Sequence, residues 1–123
     1  EVEPEHYEIA EGKRLRGNPR QSVWIEYTDA SGQFVVGRWR SEPGQWRIAY
    51  TEEEYCEILE GHSRIVSDTG EVREVHPGSR FVMPRGFQGS WEVLVTTTKR
   101  FVIYEPGAAR SARGSGRRVG LRL

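Results

Sequence analysis

The chain has 123 residues, a mass of 14.1 kDa and a formal net charge of zero at pH 7. This length predicts one domain with its own hydrophobic core, and the single cysteine, Cys56, excludes an internal disulfide and a cysteine-rich zinc motif. No apolar run reaches the ~20 residues that a membrane span needs, and no signal-peptide pattern opens the chain, so a soluble cytoplasmic protein is expected.

Short apolar-rich segments separated by turn signals indicate a β-rich fold. Residues 1–20 are polar and predict an N-terminal arm. From Val23 onward, short apolar-rich segments alternate with turn signals, and no amphipathic helix is indicated, which is typical of an all-β sandwich or barrel. The turn Asp68-Thr69-Gly70 predicts a hairpin. Strands are predicted over residues 23–27, 34–40, 46–50, 55–59, 63–67, 72–76, 80–83, 91–96 and 100–104.

Charge is distributed unevenly along the chain. The body up to Glu105 contains all 18 acidic residues and 13 of the 18 basic ones, whereas residues 106–123 contain five arginines among Gly, Ala and Ser. This composition predicts a C-terminal tail over residues 106–123. Nucleic acid is not an expected partner, because the body is acidic and lacks a basic stripe.

The most informative motif runs from Gly78 to Gly89 and reads GSRFVMPRGFQG. Pro84 ends the strand ladder, and Gly86 supplies a backbone freedom that other residues lack. The segment therefore predicts a strand that ends in a tight corner, as at the rim of a barrel. A second block lies upstream, where Glu54 stands seven residues before a glycine.

In this order, the two blocks resemble the two signature motifs of the cupin superfamily. More specifically, the chain resembles the small single-domain RmlC-like cupins grouped near (S)-ureidoglycine aminohydrolase. The resemblance implies a double-stranded β-helix (jelly-roll) barrel over residues 21–105. It also implies a homodimer paired through a sheet face, with the N-terminal arm or the arginine-rich tail crossing over. It is carried by Gly37, Trp39, Pro43, Gly44, Trp46, Arg47, Tyr50, Thr51, Glu52, Glu54, Cys56, Ile58, Leu59, Glu60, Gly61, Gly70, Gly78, Pro84, Gly86, Phe87, Gly89, Trp91, Glu92 and Lys99.

The resemblance also shows which metal ligands have been replaced. Cupins with a metal use three histidines and one glutamate from these motifs. Here Ile48 and Tyr50 stand at the first two histidine positions and Gly89 stands at the third, so only Glu54 is retained. No cofactor is therefore expected, and a divalent Mn, Zn or Ni ion on Glu54 is kept as the alternative.

Other residues have simpler interpretations. His62 and His76 lie outside both motifs and are expected at the surface or at strand ends. Cys56 has no histidine placed as a base, so it is interpreted as a small buried hydrophobe and not as a nucleophile. Core packing is expected for Trp39, Trp46 and Trp91, and a solvated loop is expected for Glu52 and Glu53.

Strand parity and motif position predict which side chains face the barrel interior. A carboxylate buried there must pair with a cation or hold a proton. The small residue at position 89 leaves room beside these side chains. The expected lining residues are Tyr50, Glu54, Cys56, Trp91 and Gly89, and the candidate cations are Arg38, Arg40 and Arg47.

Three functions are compatible with this pattern. The preferred hypothesis is a cupin that binds a small anionic metabolite in the barrel pocket, with Glu54 as general acid or base, Tyr50 orienting the ligand and an arginine holding its carboxylate. The second is a metal-dependent aminohydrolase-like or isomerase-like enzyme that uses Glu54. The third is a non-catalytic structural or sensor cupin.

Overall fold

The computed structural model describes residues 2–107 and contains, in that part, nine strands and one short 3-10 helix, Glu11–Lys13. Most of these strands have one buried face and one exposed face. In chain order they are β1 (Glu5–Glu8), β2 (Arg14–Arg16), β3 (Arg20–Thr28), β4 (Phe34–Ser41), β5 (Gly44–Ala49), β6 (Glu53–Ser67), β7 (Val72–Val75), β8 (Arg80–Met83) and β9 (Gln88–Tyr104).

The strands form a curled antiparallel sheet in which the long strands β6 and β9 contribute to both halves. In one half the order is β1-β3-β4-β9-β6-β8. In the other half the order is β2-β5-β9-β6-β7. The buried side chains lie between the two halves, so the predicted all-β jelly roll is confirmed.

A bulged region explains why two pairs of predicted strands merge. The register of β6 against β9 shifts between Ile58 and Ser63, where the long strands pass from one half of the sheet to the other. Gly61 lies in this region with a φ of 93°. A Cβ added there would lie 2.1 Å from the carbonyl oxygen of Thr96, so only glycine fits.

The two predicted turns have the expected backbone. Gly70 closes the β6–β7 hairpin with a φ of 95°, and Gly86 completes the corner after Pro84 with a φ of 92°. The Gly86 amide donates to the carbonyl of Tyr50 at 2.8 Å, and the Tyr50 amide donates to the carbonyl of Phe87 at 2.9 Å. This corner therefore fixes Tyr50 at the rim of the barrel.

The predicted arm over residues 1–20 packs onto the barrel. Strand β1 pairs with β3, and β2 pairs with β5, so the segment extends both halves of the sheet. The tail predicted from residue 106 lies, from residue 108 on, outside the described residues.

The core is built on three fully buried tryptophans, which confirms that prediction. Trp39 contacts Trp46 and Trp91, with ring centroids 6.2 and 5.4 Å apart. Phe81 also packs against Trp91, with ring centroids 6.4 Å apart. In the described residues, no helix is both long enough and apolar enough to cross a membrane.

Candidate functional site

A buried ion pair occupies the centre of the barrel. Glu54 Oε2 lies 2.9 Å from Lys99 Nζ, and both side chains are 0% exposed. Tyr50 donates its hydroxyl to Glu54 Oε1 at 2.6 Å. Oε1 thus accepts the hydrogen bond from Tyr50, and Oε2 lies against the Lys99 ammonium as an ion pair without hydrogen-bond geometry.

Aromatic rings surround the lysine. The register places Lys99 opposite Trp39 on β4, and its ammonium lies 4.7 Å from the Trp39 ring centroid and 4.5 Å from that of Trp91. Such contacts are favourable for a desolvated cation. Lys99 is thus held by one carboxylate and two indole faces.

The phenol of Tyr50 and the thiol of Cys56, which neighbour this ion pair, are held in their neutral forms. Burial raises the pKa of Tyr50 well above its ordinary value, and the charge of Glu54 raises it further. Burial and Glu54 likewise raise the pKa of Cys56, although Lys99 opposes this. A neutral, fully buried thiol is a poor nucleophile, in keeping with the interpretation of Cys56 as a small core residue.

The four inward-facing side chains predicted from parity are all buried, namely Tyr50, Glu54, Cys56 and Trp91. The prediction that an arginine pairs with Glu54, however, was wrong. Arg38 pairs with Glu26 at 2.9 Å on the outer face, and Arg47 makes two bonds to Asp68, at 2.8 and 2.9 Å. Arg40 is also exposed. Lys99 takes the role assigned to these arginines, and its inward parity with Phe101 and Ile103 is a signal that could have identified it.

Two smaller expectations were also wrong. A Cβ at Gly89 would lie 2.0 Å from the carbonyl oxygen of Val66, so this glycine allows close approach of two strands and leaves no open space. Glu52, expected in a solvated loop, is fully buried, and its Oε1 accepts bonds from the amide and hydroxyl of Thr51, both at 3.1 Å.

The donors at the barrel centre do not fit the divalent ion that many cupins hold. A typical site needs about three nitrogen, oxygen or sulfur ligands. Of the three side chains there that carry a donor atom, Glu54 supplies the one carboxylate, and the phenol of Tyr50 and the thiol of Cys56 are held neutral. The ammonium of Lys99 lies directly against the carboxylate and would repel a second cation.

A cavity of about 360 Å³ opens at the rim of the barrel beside this core. Its apolar wall includes Phe87, which packs edge-on against Tyr50 with ring centroids 6.4 Å apart. The guanidinium of Arg73 lies 5.4 Å from the centroid of the Phe81 ring. The lining residues are Ile65, Ser67, Glu71, Val72, Arg73, Phe81, Val82, Met83, Pro84 and Phe87.

The curled antiparallel sheet, with Pro84 and Gly86 at the corner, is that of a small cupin. The chain belongs to the EutQ-like cupin domain family, which it matches over residues 28–101. This match confirms the cupin resemblance read from the two motifs. No curated protein matches the chain.

Solved structures support the same fold. A DUF861-family protein of unknown function from Pseudomonas syringae superposes with a TM-score of 0.75 at 15% identity, covering 84% of this chain and 44% of that one. A putative ethanolamine utilization protein Q from Salmonella typhimurium gives 0.64 at 14% identity, with 85% and 98% covered. A DUF861 protein from Thermotoga maritima gives 0.51 at 26% identity, with 52% and 73% covered. This chain thus spans less than half of the Pseudomonas protein.

Proposed function

We propose that this cupin binds a small organic anion in the cavity at the barrel rim, and that no metal ion at the barrel centre takes part. The observation that carries the proposal is the position of Arg73, whose guanidinium lies against the Phe81 ring in the cavity wall. Within the described part of the chain, no carboxylate forms an ion pair with this arginine. Arg73 is therefore available for a ligand carboxylate.

The shape and chemistry of the cavity support this function. Its volume lies at the lower end of the range for small-molecule sites. Phe81, Met83 and Phe87 offer apolar surface to the body of a ligand, while the polar lining consists of Ser67, Glu71 and Arg73. A cavity with separate apolar and polar linings would orient a small molecule that has one charged end.

The interior of the barrel is less suited to a ligand than its rim. Trp39, Trp46 and Trp91 fill it, and Lys99 already neutralises Glu54. In this proposal, Tyr50 and Glu54 do not contact the ligand. Tyr50 acts through Phe87 of the cavity wall, against which its ring packs edge-on. The roles of acid, base or ligand contact predicted for them from the sequence remain predictions.

The first prediction tests the cavity with matched pairs of compounds. Ureido acids, keto acids and sugar acids, each compared with its neutral amide or alcohol, should bind only as the carboxylate. Arg73→Gln should weaken binding about tenfold or more, because a charge-assisted bond is lost. Isothermal titration calorimetry, after a thermal-shift screen, measures both effects.

Arg80→Gln is the matched control for this test. Arg80 is an exposed arginine that starts β8 and does not line the cavity, and its nearest carboxylate, on Glu57, is 3.8 Å away. Its substitution should leave ligand affinity unchanged. Binding that is equal in Arg73→Gln, or no binding by any carboxylate, would contradict the proposal and favour a structural or sensor cupin. A metal-dependent enzyme would instead require an ion bound to Glu54.

We also propose that two copies of the chain pair through the outer face of the larger half-sheet. An apolar row crosses this face from β3 to β8, and the neighbouring row carries both signs of charge, including Glu26 and Arg100, which lie 3.4 Å apart. When two copies meet across a two-fold axis, acidic residues of such a row on one copy can face basic residues of the same row on the other. The register places side by side Tyr27, Val36, Val102, Tyr55 and Val82.

The second prediction concerns this pairing. Val82→Asp should convert a dimer into a monomer, since a charge in the apolar row would be desolvated on association. Val95→Asp is the control, because Val95 is as exposed as Val82 (56% against 58%) and lies outside the row. Light scattering coupled to size exclusion measures the mass. A wild-type monomer, or a dimer that is unchanged by Val82→Asp, would refute this interface.

A further inference from the structure

We propose that His62, Glu74 and His76 form a binding site for a divalent transition metal, of which zinc is the best match, on the outer face of the β6–β7 hairpin. The site is distinct from the barrel centre and from the anion cavity. It uses two of the three histidines in the chain.

The strand register brings the three side chains to one face. Ser63 pairs with Val75, and Arg64 pairs with Glu74. Continuing this antiparallel register sets His62 opposite His76, and Glu74 lies two residues before His76 on the same face. These histidine rings stack with centroids 4.5 Å apart and an interplanar angle of 18°.

The donor atoms are close to a ligating arrangement. One ligand atom from each residue lies within 4.8 Å of the other two. Around a tetrahedral zinc ion, ligand atoms stand roughly 3–4 Å apart, given zinc–nitrogen bonds of about 2.0–2.1 Å. The atoms therefore lie only slightly farther apart than zinc ligands do, and the proposal requires the three side chains to close this difference by rotation.

The carboxylate is already ionised and oriented. Arg64 donates its Nε to Glu74 Oε2 at 2.6 Å, and His62 Nε2 lies 2.5 Å from Oε1. These two partners, Arg64 foremost, hold the pKa of Glu74 below its ordinary range. A metal would displace the His62 contact at Oε1 while Arg64 kept its place on Oε2, as an outer-shell partner does.

The charge of Arg64 is itself compensated. Its Nη1 lies 3.2 Å from Glu92 Oε1, so the guanidinium of Arg64 contacts a second carboxylate besides that of Glu74. This lowers the repulsion that Arg64 would exert on a bound cation.

The ligand types favour zinc over hard cations. Two imidazole nitrogens and one carboxylate oxygen suit zinc, nickel or copper, whereas magnesium and calcium prefer oxygen ligands alone. Three protein ligands leave one coordination position open, as in zinc sites that bind water or a small ligand. A bound ion would also join β7 to β6, and β7 carries Arg73 of the cavity wall on its opposite face.

The experiment uses the full chain without a polyhistidine tag. Zinc is titrated into the protein in competition with a chromophoric zinc indicator, and each variant is checked for folding by circular dichroism. The wild type should bind one equivalent of zinc. His62→Gln, Glu74→Gln and His76→Gln should each weaken binding at least about tenfold.

Two control variants distinguish this site from others. His6→Gln removes the third histidine, which lies on β1 and contacts Ser22 of β3, and should leave zinc affinity unchanged. Cys56→Ser should also leave it unchanged, because that thiol is buried in the core. Zinc binding that survives His62→Gln and His76→Gln together, or is lost in Cys56→Ser, would overturn the proposal, as would a wild type that binds no zinc.

Discussion

Lys99→Met is expected to lower the free energy of unfolding by about 3–5 kcal/mol, because it leaves the carboxylate of Glu54 buried without its cation. Methionine keeps most of the side-chain length between the two indole rings, so lost charge and not lost volume dominates the effect. Urea denaturation at neutral pH measures the loss.

Two comparisons make this test specific. The double variant Lys99→Met/Glu54→Gln should regain much of the lost stability, because both charges are then absent. Arg100→Met alters the next residue of β9, whose exposed pair with Glu26 should contribute less than about 1 kcal/mol. A double variant that is no more stable than Lys99→Met would show that Glu54 does not depend on the lysine.

Trp91→Ala is expected to cost about 3–5 kcal/mol, the range for large aromatic truncations in a core. The ring is 1% exposed and contacts Trp39, Phe81 and the ammonium of Lys99. Its removal would therefore leave a cavity and take one aromatic face from the buried cation. Equilibrium unfolding in urea, with an unchanged slope, measures the change.

Trp24→Ala is the control for Trp91→Ala. Trp24 is half-buried on the outer face and is covered by Arg38, whose guanidinium lies 4.9 Å from its ring centroid. Its truncation should cost about 1–2 kcal/mol, in proportion to the smaller apolar area that it buries. Equal losses for the two variants would contradict the inward orientation of Trp91.

The sequence predicted the fold well because its main signals are local. Alternating apolar residues, Gly70 in the hairpin and the Pro84–Gly86 corner each act over a few residues, and their positions agree with the structure. The register shift near Gly61 was not predicted. It depends on contact with Thr96, a residue distant in the chain.

The candidate site was predicted only in part, because its contacts connect distant strands. Parity correctly placed Tyr50, Glu54, Cys56 and Trp91 inside. It does not say which cation meets a buried carboxylate, and the candidates taken from neighbouring strands, Arg38, Arg40 and Arg47, did not include Lys99. Similarly, each histidine alone was correctly expected near the surface, but only the pairing of β6 with β7 brings His62, Glu74 and His76 together.

The central claim is that an internal lysine–glutamate pair stands where many cupins hold a metal ion. The most direct test is an experimental electron-density map of the barrel centre, collected with anomalous data for transition metals. We predict density for the Lys99 ammonium within hydrogen-bonding distance of Glu54 and no anomalous signal at that point. An ion held there by three or more protein donors, with Lys99 turned away, would contradict the claim.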